Sequence, residues 1–230
     1  MSDPVQVALV AEGPTDMIVI DAALRAIFKD KPFVLKQIQP EGSLAFGPLG
    51  GGWAGVYKWC KQSALRGNGR VSDDGLVFNQ YDFLILHVDV DVAATSYTAG
   101  NLIPASTDLP LPCAKPCPPA KASSDSLREV ILSWCGETAT PAKVVLCTPA
   151  QSTETWVLGA LFHTDKEYVA QGECLPDPIS RFSVQKKARR IRKAQGDYRN
   201  NSDQFKTQWP RICKLGEASR FDSEVLAATP

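Results

Sequence analysis

Three short apolar runs, each followed by acidic side chains, constrain this chain more than any other feature. Val5-Gln6-Val7-Ala8-Leu9-Val10 leads to Glu12, Gly13 and Pro14. Asp82-Phe83-Leu84-Ile85-Leu86-His87-Val88 leads to Asp89-Val90-Asp91, and Lys143 to Cys147 leads through a short loop to Glu154. Runs of this length, bounded by turn residues, read as strands buried on both faces. Phe33 to Gln39 reads as another strand. After the first run, Met17, Ile20, Leu24, Ile27 and Phe28 recur at helical spacing until Lys29-Asp30-Lys31-Pro32, with Thr15 or Asp16 able to cap the helix. Further helices are expected from about Val56 to Leu65, Ser126 to Cys135 and Thr153 to Phe162. Strands alternating with helices imply an α/β fold around a central, mostly parallel sheet.

In such a sheet, ligands collect outside the carboxyl ends of the strands. Glu12, Asp89, Asp91 and Glu154 would all lie on that edge. Each has a plain alternative: Glu12 or Asp16 can serve as a helix cap, and Glu154 can favour its own helix N-terminus. Together, however, four like charges on one edge repel one another, and a bound hard cation gives the cluster a physical reason to exist. The pattern is that of a magnesium site.

At 230 residues, 44% of them apolar, the chain can bury a substantial core. Its apolar runs fall far short of the ~18 residues that a membrane span needs, and its start has neither the basic nor the long apolar region of a leader. No membrane association and a cytoplasmic location are therefore expected. Seven scattered cysteines fit reduced thiols; Cys113 and Cys117 are close, but with two histidines in the chain a structural zinc is disfavoured. A glycine-rich loop between Gly42 and Gly55 lacks the Lys-Ser/Thr ending of a P-loop. Six prolines between residues 101 and 124 mark an irregular excursion.

Zero net charge conceals an asymmetry. Residues 181–230 hold twelve Lys/Arg against five acids, so the rest of the chain is equally acidic in balance. A basic helix is expected from about Ser183 to Gln195, with Lys186, Lys187, Arg189, Arg190, Arg192 and Lys193 available to hold a phosphate backbone. A solvated helix face, or a contact for an acidic protein, is the competing reading.

The strand followed by Glu12-Gly13-Pro14-Thr15-Asp16, and the later strand followed by Asp89-Val90-Asp91, resemble the Toprim domain of topoisomerases, primases and overcoming-lysogenization-defect nucleases. Ser152-Thr153-Glu154-Thr155-Trp156-Val157-Leu158 is similar to the third acidic motif of small stand-alone Toprim-like proteins. The resemblance covers roughly residues 5–165. It implies a Toprim-like Rossmannoid domain over 1–165, interrupted by the Pro-rich insertion at about 101–124, with 166–230 as a basic, mainly helical extension. It further implies that Glu12 binds metal or acts as general acid/base, that Asp89 and Asp91 are metal ligands, that Glu154 completes the site, and that Asp16 matches the last position of the first motif.

The activity implied is Mg²⁺-dependent hydrolysis of DNA or RNA, with Mn²⁺ able to stand in, in an anti-phage defence setting with an ATPase partner. Two other readings remain open at this point: a non-catalytic Toprim-like module that binds nucleic acid or the ATPase, and a haloacid-dehalogenase-like phosphatase using Asp89 as nucleophile.

Overall fold

The computed structural model describes residues 3–41, 47–186 and 190–230. The apolar runs form the strands β1 (Val5–Val10), β2 (Phe33–Gln39), β3 (Phe83–His87) and β4 (Val144–Cys147), hydrogen-bonded in the order β2-β1-β3-β4. Every pairing is parallel. Register places Val10 opposite Leu86, and Leu86 opposite Leu146, so β1, β3 and β4 finish at one edge.

Side-chain alternation sends successive residues to opposite layers. Val5, Val7, Leu9, Phe83, Ile85 and Val145 face one hydrophobic cluster, whereas Ala8, Val10, Leu84, Leu86, Val144 and Leu146 face the other. The first layer contains α1 (Pro14–Phe28) and α5 (Thr153–Leu161); the second contains α2 (Gly52–Arg66) and α4 (Lys121–Trp134), with the short α3 (Gly75–Phe78) between α2 and β3. Three boundaries differ from expectation: α2 begins at Gly52, inside the glycine-rich loop, rather than at about Val56, and the other two are in α1 and α4. α1 starts at Pro14 with Gly13 as its N-cap, so neither Thr15 nor Asp16 caps it, and α4 begins at Lys121, inside the stretch read as irregular.

Beyond residue 165 come α6 (Lys166–Gln171), α7 (Ser180–Val184), α8 (Gln195–Asn200), α9 (Ser202–Ile212) and α10 (Gly216–Ala228). Tyr198, Phe205, Trp209, Ile212, Phe221 and Val225 share the first hydrophobic cluster with β1, α1 and α5. Trp209 meets Trp156 of α5 edge-on, ring centroids 5.4 Å apart. The outer edge of β4 is closed by side chains: Arg128 donates to the Leu146 carbonyl at 2.7 Å, Glu224 of α10 accepts from Leu146 N at 3.3 Å, and Arg128 and Glu224 pair with each other.

The basic helix expected over Ser183–Gln195 does not form among the described residues. α7 ends at Val184, α8 starts at Gln195, and residues 186 and 190–192 carry no regular structure. Crowded positive charges along one helix would repel. Instead Arg190 Nε donates to Gln185 O at 2.9 Å, and Asp197 accepts from Arg192 N at 2.8 Å. The reduced-thiol expectation also needs correction, because Cys117 and Cys174 form a disulfide; Cys60, Cys113, Cys135, Cys147 and Cys213 are free. Their 57-residue separation hides the pairing in sequence, where Cys113 is the nearer neighbour of Cys117.

Candidate active site

The parallel register determines which acids meet. Glu12 stands two residues beyond β1, and the backbone on either side of it is tied down: Ala11 N donates to Gln39 O at 2.8 Å, and Gly52 N donates to Glu12 O at 2.8 Å. Gly52 has φ +68°, a left-handed conformation that favours glycine, so the glycine-rich loop serves here to brace Glu12. Glu12 Oε1 accepts from Asp89 N at 2.9 Å, which links the ends of β1 and β3 directly.

Asp16 is in the first turn of α1, and its Oδ2 accepts from Gly13 N at 2.9 Å. Asp89 follows β3, and its Oδ1 accepts from Thr153 N at 2.9 Å at the start of α5. The Thr153 hydroxyl lies 2.9 Å from Asp16 Oδ1, 3.2 Å from Asp89 Oδ1 and 3.1 Å from His87 Nε2. Thr153 thus ties together α1, β3 and α5. Asp91 lies in the turn Val90–Ala94, at the solvent-exposed rim.

Glu154 is fully buried and differently engaged. Tyr198 donates to its Oε1 at 2.8 Å, and Lys193 Nζ lies 3.1 Å from its Oε2. Of the basic residues expected to line a helix face, Lys193 therefore points into the acidic cluster. Lys186 and Arg190 are exposed outside it, while Lys187 and Arg189 lie outside the described residues.

The electrostatics follow from burial and crowding. Burial, then the charge of Asp89, hold the Glu12 carboxyl well above the usual range. Asp16 is pushed up to about 6 by burial, against the pull of His87 and with the push of Asp89. Asp91 also rises to about 6, through the protein packed around it and through Asp89. For His87, burial opposes the charged imidazole, but Asp16, Asp89 and Glu12 outweigh it and bring the group to about 9. Burial likewise opposes the Lys193 charge, and Glu154, Asp89 and Asp16 overcome it.

Glu12, Asp16, Asp89, Asp91 and Glu154 therefore act on one another's charge at a single sheet edge. His87, Thr153 and Tyr198 were not singled out from the sequence. His87 had one usable signal: it closes an otherwise apolar strand and, two residues on from Ile85, falls on the α1 side of the sheet. Tyr198 had none, since its approach depends on how the C-terminal helices fold back. No protein-family model, curated protein or solved structure matches the chain.

Proposed function

We propose that the chain is a divalent-cation-dependent phosphodiesterase of Toprim-like type that hydrolyses DNA or RNA. The observation that carries this reading is the convergence of Glu12, Asp16, Asp89, Asp91 and Glu154, with Lys193 among them, at the carboxyl edge of a parallel sheet. Glu12, Asp16 and Asp91 are raised first by burial and further by neighbouring acids, and a divalent cation among them would offset both effects. The donors are hard oxygens, which suits Mg²⁺. Glu12, Asp16, Asp89 and Asp91 would hold it, and a bound ion would polarise phosphate and lower the pKa of water.

The chain's own groups divide the remaining work. Glu12, partly open to solvent and with its proton affinity raised, is placed to take a proton from water. Lys193 keeps its positive charge and leaves 36% of its side chain accessible, so it can meet a phosphate oxygen while Glu154 and Tyr198 fix its approach. Thr153 holds Asp16 and Asp89 at a set separation. Lys186 and Arg190 would hold the flanking backbone without reading sequence.

Asp89 Oδ1 is already engaged by Thr153 N and His87, an arrangement that suits a fixed ligand better than an attacking phosphatase nucleophile. Among the described residues no helix is long and apolar enough to cross a membrane. We propose an ATPase partner in anti-phage defence on the resemblance alone. The test is cleavage of DNA and RNA by the full chain with Mg²⁺ or Mn²⁺, with and without a candidate ATPase. Metal-dependent cleavage supports the proposal, whereas nucleic-acid binding without cleavage under every condition would identify a binding module instead.

A further inference from the structure

His87 offers a donor that an all-oxygen magnesium site does not use. The ring is fully buried, and its two nitrogens have unlike surroundings. Nε2 lies 3.1 Å from Thr153 Oγ1 and 3.2 Å from Asp89 Oδ1. Because the Thr153 hydroxyl can give its own proton to Asp16 Oδ1 at 2.9 Å, its oxygen is left to accept from Nε2–H. That order of donors assigns the Nε2 position a proton and turns Nδ1 inward.

Nδ1 has no hydrogen-bond partner, and Asp16 Oδ2 lies 4.0 Å from it. An unpaired polar atom at such depth costs about 1–3 kcal/mol, whichever protonation state it adopts. Among the described residues, two other buried side-chain atoms are also unpaired, Ser152 Oγ and Trp156 Nε1. The gap at Nδ1 is too long for a hydrogen bond. It is close to the about 4.2 Å separating two donors on opposite sides of an ion with metal–ligand distances of about 2.1 Å. Asp16, His87 and Asp89 each have a donor atom within 4.8 Å of the others, with Asp89 on the Nε2 side of the ring and Asp16 Oδ2 facing Nδ1.

We infer that His87 Nδ1 is a metal ligand, that Asp16 Oδ2 is the donor facing it across the gap, and that this position takes a first-row transition ion in preference to Mg²⁺. The selection is chemical. Imidazole nitrogen binds Mn²⁺, Fe²⁺, Co²⁺ or Zn²⁺ better than it binds Mg²⁺, which keeps oxygen donors and water. The surroundings of His87 fit as well, because metal-bound histidines characteristically give their other N–H to a carboxylate or a hydrogen-bonding neighbour, which fixes the ring. Thr153 and Asp89 do that here. The inference rests on the proposed function only in placing a divalent cation among these residues.

The test uses the full chain loaded with Mn²⁺ and needs no nucleic acid. Pulsed electron paramagnetic resonance should detect directly coordinated ¹⁴N in the wild-type protein. Titration should show Mn²⁺ binding at least about 100-fold tighter than Mg²⁺, and His87→Asn or His87→Phe should reduce that ratio at least about tenfold. Circular dichroism establishes whether the variants fold, and if they do not, the wild-type spectrum still decides. Absence of ¹⁴N coupling, absence of Mn²⁺ binding, or an unchanged ratio in a folded variant would each overturn the inference. Cleavage supported by Mg²⁺ with no ¹⁴N coupling would remove this inference and leave the nuclease reading intact. Coupling in a protein that never cleaves would do the reverse.

Discussion

Lys193 Nζ lies 3.1 Å from Glu154 Oε2, joining the segment before α8 to the first turn of α5 across 39 residues of chain. With Tyr198 on Oε1, the pair leaves neither oxygen of Glu154 idle. Glu154 is thus held by the C-terminal segment, and the free charge offered to a ligand is that of Lys193.

Tyr198→Phe should therefore cost about 1–3 kcal/mol in denaturant unfolding, because a buried carboxylate oxygen loses its partner. Lys193→Ala should lower cleavage far more than Tyr198→Phe does. Equal cleavage by the two variants would show that the ammonium has no role beyond its ion pair.

Glu12→Gln keeps a side-chain oxygen able to accept from Asp89 N but removes the charge and the proton acceptor. Metal-dependent cleavage should fall by about 10²–10⁴-fold with the circular dichroism spectrum unchanged. A wild-type rate at limiting Mg²⁺ would remove Glu12 from the chemistry.

The cation-free protein should lose stability between pH 6 and pH 9. His87 contributes stability that is complete below its unfolded value, about 6.5, and is lost as pH rises through its folded value of about 9. Asp16 and Asp91, raised to about 6 chiefly by burial, act in the same direction but in a lower window: the stability they contribute is lost as pH rises from their unfolded value of about 3.9 to about 6, and is gone above that. Thermal melts at pH 6, 7.5 and 9, with and without Mn²⁺, check this. The slope should be steep without the ion and shallow with it.

Lys186 and Arg190 are exposed and lie outside the acidic cluster. Replacing either with Ala should reduce the slope of log K against log salt by about 1 for nucleic-acid binding, with little change in sequence preference. An unchanged slope would assign this segment to a protein contact.

Trp209 anchors α9 against Trp156 and Phe221, and its Nε1 donates to Asp222 Oδ1 at 2.8 Å. Trp209→Ala should cost about 3–5 kcal/mol and loosen the C-terminal helices that carry Tyr198. Hydrogen exchange across α8 and α9, compared with that of β1 and β3, measures both effects.

The sheet was legible because β1, β3 and β4 are short β-branched or leucine-rich runs with abrupt ends, and chain direction alone then sends Glu12, Asp89 and Asp91 to one edge. The local pattern could not reveal contacts supplied from a distance. His87 looks like one more residue of a buried strand until α1 places Asp16 beside it. Lys193 looks like a member of a basic run until the C-terminal helices fold back over α5. The expected helix around Lys186 and Arg190 failed for a related reason: spacing alone does not show that Asp197 and Glu154 will draw Arg192 and Lys193 in different directions.

The Cys117–Cys174 bond turns the intervening chain into a closed ring with two free tails. Thr153 and Glu154 belong to the ring; Glu12, Asp16, His87, Asp89 and Asp91 belong to the tail before it, and Lys193 and Tyr198 to the tail after it. The site is where three topologically separate pieces of one molecule meet. Cys117 is exposed and Cys174 half-exposed, so a thiol reductant can reach the bond and open the ring without touching any acid of the site.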